Sequence, residues 1–247
     1  MAVGAKSALM IYTDGSPAEL LRSPPPPDEG KTATLVAATR PGPAGAAGPG
    51  GTLGDDIYPA EGIVYAGSFP GIDVLCDRDV MTGRPSQLPG RLLAPGAGRR
   101  VILHAMHSAS DWLGYAVWQD GVLLRSLSLS PDGGITEDIG APLPFEASFW
   151  AGEHPAASSR LFPGRPPYPL PFHSLELGEA ALVELAGFAV EGRPADYLID
   201  PWAVRLISYR VTPARPVTSA DLQAFVRTHK RTSYTFGPGG SLIPKAE

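Results

Sequence analysis

Apolar positions first run along this chain as unbroken blocks and later as alternation. Ser7 to Thr13 is apolar at nearly every position, which predicts a strand covered on both faces and therefore central in its sheet. Asp14-Gly15 turns the chain. Ser16-Pro17-Ala18-Glu19 then has capping-box spacing with proline at the first helical position, so a short helix through Leu21 is expected. Pro24 to Pro27 end it, and Lys31 to Thr39 can form another. Residues 41–51 are almost wholly Gly, Pro and Ala, which predicts a mobile loop. Ile63 to Ala66 and Ile72 to Cys76 flank the turn chemistry of Ser68-Phe69-Pro70-Gly71. Val101 to Ser108 is a third strand of this central region. Trp112 to Trp118 and Val122 to Leu129 join across Gln119-Asp120-Gly121, the strongest hairpin signal in the chain.

Beyond Gly140 the pattern changes to proline-rich loops carrying Phe145, Phe149, Trp150, Phe162, Tyr168 and Phe172. Leu175 to Val190 has a helical apolar stripe, with Gly192 and Pro194 as its terminators. Leu206 to Val211 suits an edge strand, Thr218 to His229 a last helix, and the tail after about residue 231 is expected to be loose. The expectation is one α+β domain over residues 1–247: a mainly antiparallel sheet with helices packed on one face. No internal repeat is present.

Composition narrows the classes. A hydrophobic share of 43% against 18% charged residues supports a packed core. The net charge of −5 argues against nucleic acid or an anionic membrane as partner. No window reaches the ~18 apolar residues of a membrane span, and the N-terminus lacks a secretory apolar core, so a cytoplasmic protein is expected. Cys76 is the only cysteine, which excludes an intrachain disulfide and a cysteine zinc site. It lies in the apolar run Ile72 to Cys76, as a small core residue does. Absent Asn and sparse Lys, with abundant Ala, Gly, Pro and Arg, suggest a GC-rich genome.

Motifs of known chemistry fail on inspection. Gly30-Lys31-Thr32 invites a phosphate-loop reading, but Pro25 stands where that motif needs its first glycine. Tyr12-Thr13-Asp14-Gly15-Ser16 resembles the opening of haloacid-dehalogenase-type phosphatases, yet Tyr12 occupies the nucleophile position. Gly67-Ser68-Phe69-Pro70-Gly71 is not a nucleophile elbow, because Ser68 directly follows a glycine. No cofactor motif is found.

Several residues still stand out. His104 and His107 are three apart in a strand, so they point to opposite faces. A metal site there would need a bulge after Met106, with Glu153 and His154 as further ligands and His173 behind them; none is expected. Arg125 shares a strand face with Leu123, Leu127 and Leu129. A guanidinium among leucines must be paired or exposed. It is either a buried ion pair with Glu146, Glu137 or Asp138, an exposed residue at the sheet edge, or an anion-binding fork in a pocket. Ser126, Ser128 and Ser130 line the opposite face, which reads as the solvated side of a half-covered sheet or as a polar pocket lining. Glu137, Asp138, Glu146 and Glu153 fall in the loops that follow.

Longer runs carry a resemblance. Leu103-His104-Ala105-Met106-His107-Ser108, Asp111-Trp112, Trp118-x-Asp120-Gly121 and Arg125 to Pro131 form one set. Pro142 to Glu146, Trp150 to Pro155, Tyr168 to His173 and Leu177 to Leu182 form another. Over about Ser7 to Gly192 the chain resembles an uncharacterised actinobacterial family, a domain of unknown function. The resemblance implies no activity and no catalytic residues.

Two classes of function follow. The first is a non-enzymatic binding or regulatory protein, with Arg125, Trp150 and His154 as ligand-binding candidates and Phe149-Trp150 as an exposed patch for a protein partner. The alternative is a hydrolase for a small anionic substrate, with or without a metal: Arg125 binds the anion, His104 or His154 acts as base or ligand, and Glu146 or Glu153 assists. A third idea is an immunity-type protein that recognises another bacterial protein. Reaction, partner and oligomeric state are not legible.

Overall fold

A computed structural model describes residues 5–40, 42, 45, 48–156, 168–191 and 199–212, with the backbone of 234–236 and 242–244. The expected helix over 218–229 lies outside these residues, as does most of the tail. The described elements are β1 (Lys6–Thr13), α1 (Pro17–Leu20), α2 (Glu29–Thr39), β2 (Gly51–Thr52), α3 (Leu53–Asp56), β3 (Ile63–Phe69) and β4 (Ile72–Cys76). They continue with α4 (Gly90–Leu93), β5 (Arg100–His107), β6 (Trp112–Gln119), β7 (Val122–Ser130) and β8 (Gly134–Ile139). The last are α5 (Ala147–Trp150), α6 (Ser174–Ala186) and β9 (Arg205–Arg210), and a small ladder pairs Tyr234–Phe236 with Leu242–Pro244.

Nine strands form one antiparallel sheet in the order β2-β9-β3-β4-β1-β5-β6-β7-β8. The strand β1 therefore sits in the middle, as its two-sided apolar pattern predicts. The strands from β5 to β8 form a meander. The β6–β7 turn places Asp120 at φ 51 and Gly121 at φ 79, the left-handed pair that a two-residue hairpin of Asp-Gly requires.

Helices cover both faces of the sheet, which corrects the expectation of one covered face. Leu9 and Ile11 pack beneath α6 with Ile102, Met106, Leu113, Leu177, Ala181 and Leu182. Ala8, Met10 and Tyr12 point the other way, under Leu35 and Val36 of α2 and Leu92 of α4. A central strand that is apolar on both sides needs a layer over each.

Local signals decide the boundaries. Asp28 caps α2 by accepting from the Lys31 amide at 2.9 Å. Ser16 precedes α1 without a side-chain cap, although its spacing suggested one. The helix expected over 175–190 ends at Ala186, because Gly187 at φ 84 closes it with its amide on the Val183 carbonyl. The strand β9 is flanked by both β2 and β3 rather than lying at an edge. Gly45 and Gly48 also donate their amides to β9 carbonyls. The sequence places Glu137 and Asp138 in a loop, but both lie in β8. Ile135, Thr136 and Ile139 supply its β propensity, and Glu137 and Asp138 mask it.

A bulge changes one face assignment. Val117 faces Arg125, but the next pair is Trp118 with Leu123, so Leu124 is the extra residue. Leu123 consequently packs with Trp118 on the α2 side, not beside Arg125.

Candidate functional site

Arg125 is fully buried at the end of the meander. Its Nε and Nη2 donate to the two oxygens of Glu146 at 2.9 and 2.7 Å, a bidentate fork. Its Nη1 donates to Asp138 at 2.5 Å and to the carbonyls of Ile139 and Gly140 at 3.2 and 3.1 Å. Only glycine fits at position 140: its φ is 84, and a Cβ would lie 2.0 Å from the Leu124 carbonyl oxygen. Glu146 also accepts from the Leu143 amide at 2.9 Å and from Trp150 Nε1 at 3.0 Å. Burial alone pushes the Glu146 carboxyl up, but the bonds from Arg125 and its neighbours outweigh that and hold it below its ordinary range. The Tyr115 phenol beside this pair is buried without a hydrogen-bond partner among the described residues; burial, then the Glu146 charge, pushes it up.

Three of the candidates thus meet: Arg125, Glu146 and Trp150. His104 does not join them. It is buried under α6, with Nε2 2.9 Å from the Gly178 carbonyl and Nδ1 2.8 Å from the Ser7 hydroxyl. A carbonyl only accepts, so Nε2 carries the proton and Ser7 donates to Nδ1. Burial lowers its pKa to about 4, opposed by the Gly178 bond. His107 lies on the other face, edge-on to Tyr58. His154 stacks on Phe149 at 4.1 Å and bonds Ser148 Oγ at 3.1 Å and Glu176 at 3.2 Å. Glu153 is exposed. Among the described residues, no three His, Cys, Asp or Glu side chains are grouped to hold a metal.

The aromatic loop is not an exposed patch. Phe149 is buried, and half-buried Trp150 sets its ring edge-on to Phe172 at 4.9 Å. Cys76 is buried too, and burial pushes its thiol up, away from nucleophile chemistry.

Ser126 and Ser128 are also buried, so this part of the sheet has no solvated side. The turn at Pro85–Gln87 covers them. Ser126 donates to Glu137, which also accepts from the Ser86 amide and hydroxyl at 2.9 and 2.6 Å. Ser128 accepts from Trp112 Nε1 at 3.1 Å. A second buried ion pair lies on the α2 side of the sheet. Arg40 Nη2 donates to Asp77 and Nη1 to Asp79 at 2.6 Å, while Arg40 Nε and Asp77 Oδ2 have no partner among the described residues. Burial raises the Asp77 carboxyl, and Arg40 only partly offsets it.

What sequence reasoning missed is a cleft between α2 and the β3–β4 hairpin. Its volume is about 490 Å³, and Gly30, Lys31, Thr34, Leu35 and Ala38 form its helical wall. Ala94 and Pro95 close the far side, and Ser68 and Asp73 line the sheet side. These two are directly cross-strand from one another. The start of α2 is docked here by backbone bonds: the Asp28 amide donates to the Ser68 carbonyl, and the Ser68 amide to Thr32 Oγ1 at 3.0 Å. The Ser68 hydroxyl is nevertheless buried without a partner among the described residues. Asp73 is held from outside the cleft by Arg99 Nη1 at 2.5 Å. The rejected motifs at Gly30-Lys31 and Gly67-Ser68 both fall here. Gly30-Lys31 lies in the first turn of α2 and Gly67-Ser68 near the end of β3, and nothing in their spacing brings them together.

Among the described residues, no helix is long and apolar enough to cross a membrane. No curated protein and no solved structure matches the chain. The model of a family of unknown function, DUF6928, matches residues 7–209, most of the described sheet with its covering helices, and the chain belongs to that family.

Proposed function

We propose that this chain is a non-enzymatic binding protein of an actinobacterial cytoplasm, and that its ligand is a small molecule held in the cleft between α2 and the β3–β4 hairpin. The observation that carries the reading is the Ser68 hydroxyl, buried without a partner in the cleft wall and cross-strand from Asp73. Buried polar groups are normally paired, and one left over in a cavity wall is a place for a ligand atom. The other lining groups are mainly apolar, with Lys31 exposed on the helical wall. They suit a small apolar body with one hydrogen-bonding end. In this reading Arg125, Glu146 and Trp150 are architecture, since every nitrogen of the guanidinium already donates. The hydrolase reading has less support, because His104 and Glu153 do not join that cluster.

The test is a fragment screen by amide NMR on the 15N-labelled full chain. Hits are expected to shift Gly30, Lys31, Ser68 and Asp73, and to be lost in Ala38→Trp, which fills the cleft from an exposed helical position. Hits that ignore the cleft, or that bind the Trp variant equally well, sink the proposal.

A further inference from the structure

A separate cavity of about 310 Å³ opens where β1, β5 and β6 end on the same side. The register sets Thr13, Arg100 and Gln119 side by side across these strands. The Asp14-Gly15 turn and Gly98-Arg99 complete the lining. The two arginines differ in what they already hold. Arg99 donates to Asp14 at 2.9 Å, to Asp73 at 2.5 Å and to the Tyr12 carbonyl at 2.9 Å, so its charge is matched twice. Arg100 makes no ion pair and no side-chain hydrogen bond among the described residues, and its Nε is buried without an acceptor.

We infer that this cavity binds a small oxyanion, phosphate or carboxylate, through the guanidinium of Arg100. A guanidinium whose charge no described carboxylate matches offers its N–H groups as a planar, charged set of donors for an anion's oxygens. The other polar side chains offer little competition for that role. The Thr13 hydroxyl already donates to the Gly15 carbonyl at 2.9 Å, and Gln119 Nε2 to Asp120 at 3.1 Å. Asp14 is the one carboxylate in the lining, and Arg99 offsets its charge. The polar cavity favours a compact, highly charged group over the apolar body proposed for the α2 cleft. The inference stands independently of that cleft, because no residue lines both cavities.

The test titrates the 15N-labelled full chain with inorganic phosphate and, separately, with acetate, against sodium chloride at equal ionic strength. Saturable shifts of the Gly15, Gly98 and Gln119 amides and of the Arg100 Nε–H are expected with at least one oxyanion and not with chloride; the tighter of the two identifies the class. Arg100→Gln is expected to weaken binding at least tenfold. Arg100→Lys keeps the charge without the fork and is expected to weaken it several-fold, which preserves the test if the glutamine variant does not fold. No saturable response to either oxyanion, or an unchanged response in both Arg100 variants, overturns the inference.

Discussion

Two buried arginine–carboxylate pairs sit on opposite faces of the same sheet, and they are not equivalent. In Arg125–Glu146 all three guanidinium nitrogens donate and both carboxylate oxygens accept. In Arg40–Asp77 one nitrogen and one oxygen are left over. The carboxyl pKa moves down in the first and up in the second. Salt-bridge distance does not capture this difference; the count of satisfied hydrogen bonds does.

The largest test removes the carboxylates. Glu146→Gln leaves a fully buried arginine with only the half-exposed Asp138 as counter-charge and should cost roughly 3–5 kcal/mol in urea unfolding. Asp77→Asn should cost clearly less, because Asp79 still holds Arg40 and an unfavourably buried charge is gone. Equal losses break the comparison.

His104 sharpens it from the neutral side. Its hydrogen bonds suit the uncharged ring, so the depressed folded pKa of about 4 gives stability that is full above the unfolded value. That stability declines as pH falls from roughly 6.5 towards the folded value, by on the order of 2–3 kcal/mol. NMR titration of the ring should find it neutral at pH 5. A midpoint near 6.5 sinks this account of His104.

The two carboxylates should then show pH slopes of opposite sign. Glu146, depressed when folded, contributes stability above its unfolded value of roughly 4.3 and loses it as pH falls further. Asp77, raised when folded, contributes below its unfolded value of roughly 3.9 and loses it as pH rises through the folded one. Unfolding of each Gln or Asn variant from about pH 3 to 7, against the parent, reads both slopes; slopes of the same sign refute the contrast.

The smallest effect concerns single hydroxyls. Ser126→Ala removes a bond to a carboxylate and should cost about 1–2 kcal/mol, whereas Ser68→Ala should stay within about 0.5 kcal/mol. A large loss at Ser68 would mean that its hydroxyl has a structural partner after all.

Strands with strong alternation or two-sided apolar cover were legible, including the central place of β1 and the Asp120-Gly121 hairpin. The failures have local causes. The bulge at Leu124 shifts the alternation by one residue, so Leu123 changes face. Carboxylates hid β8, and an early left-handed glycine ended α6 before the terminators that were read. At the site, the options named for Arg125 included its actual partners Glu146 and Asp138, because a guanidinium among leucines admits few solutions. The cleft was not legible at all: Lys31, Ser68 and Asp73 meet only because α2 docks its first turn on the end of β3.

The place of β1 has a consequence for how the chain is made. Its two neighbours, β4 and β5, end at Cys76 and His107, so β1 leaves the ribosome well before either partner. Until then Leu9, Met10, Ile11 and Tyr12 form an unpaired apolar strand, the kind of segment that associates between chains. A deletion of Lys6 to Thr13 would remove the middle of the sheet and leave β4 and β5 as two facing edges.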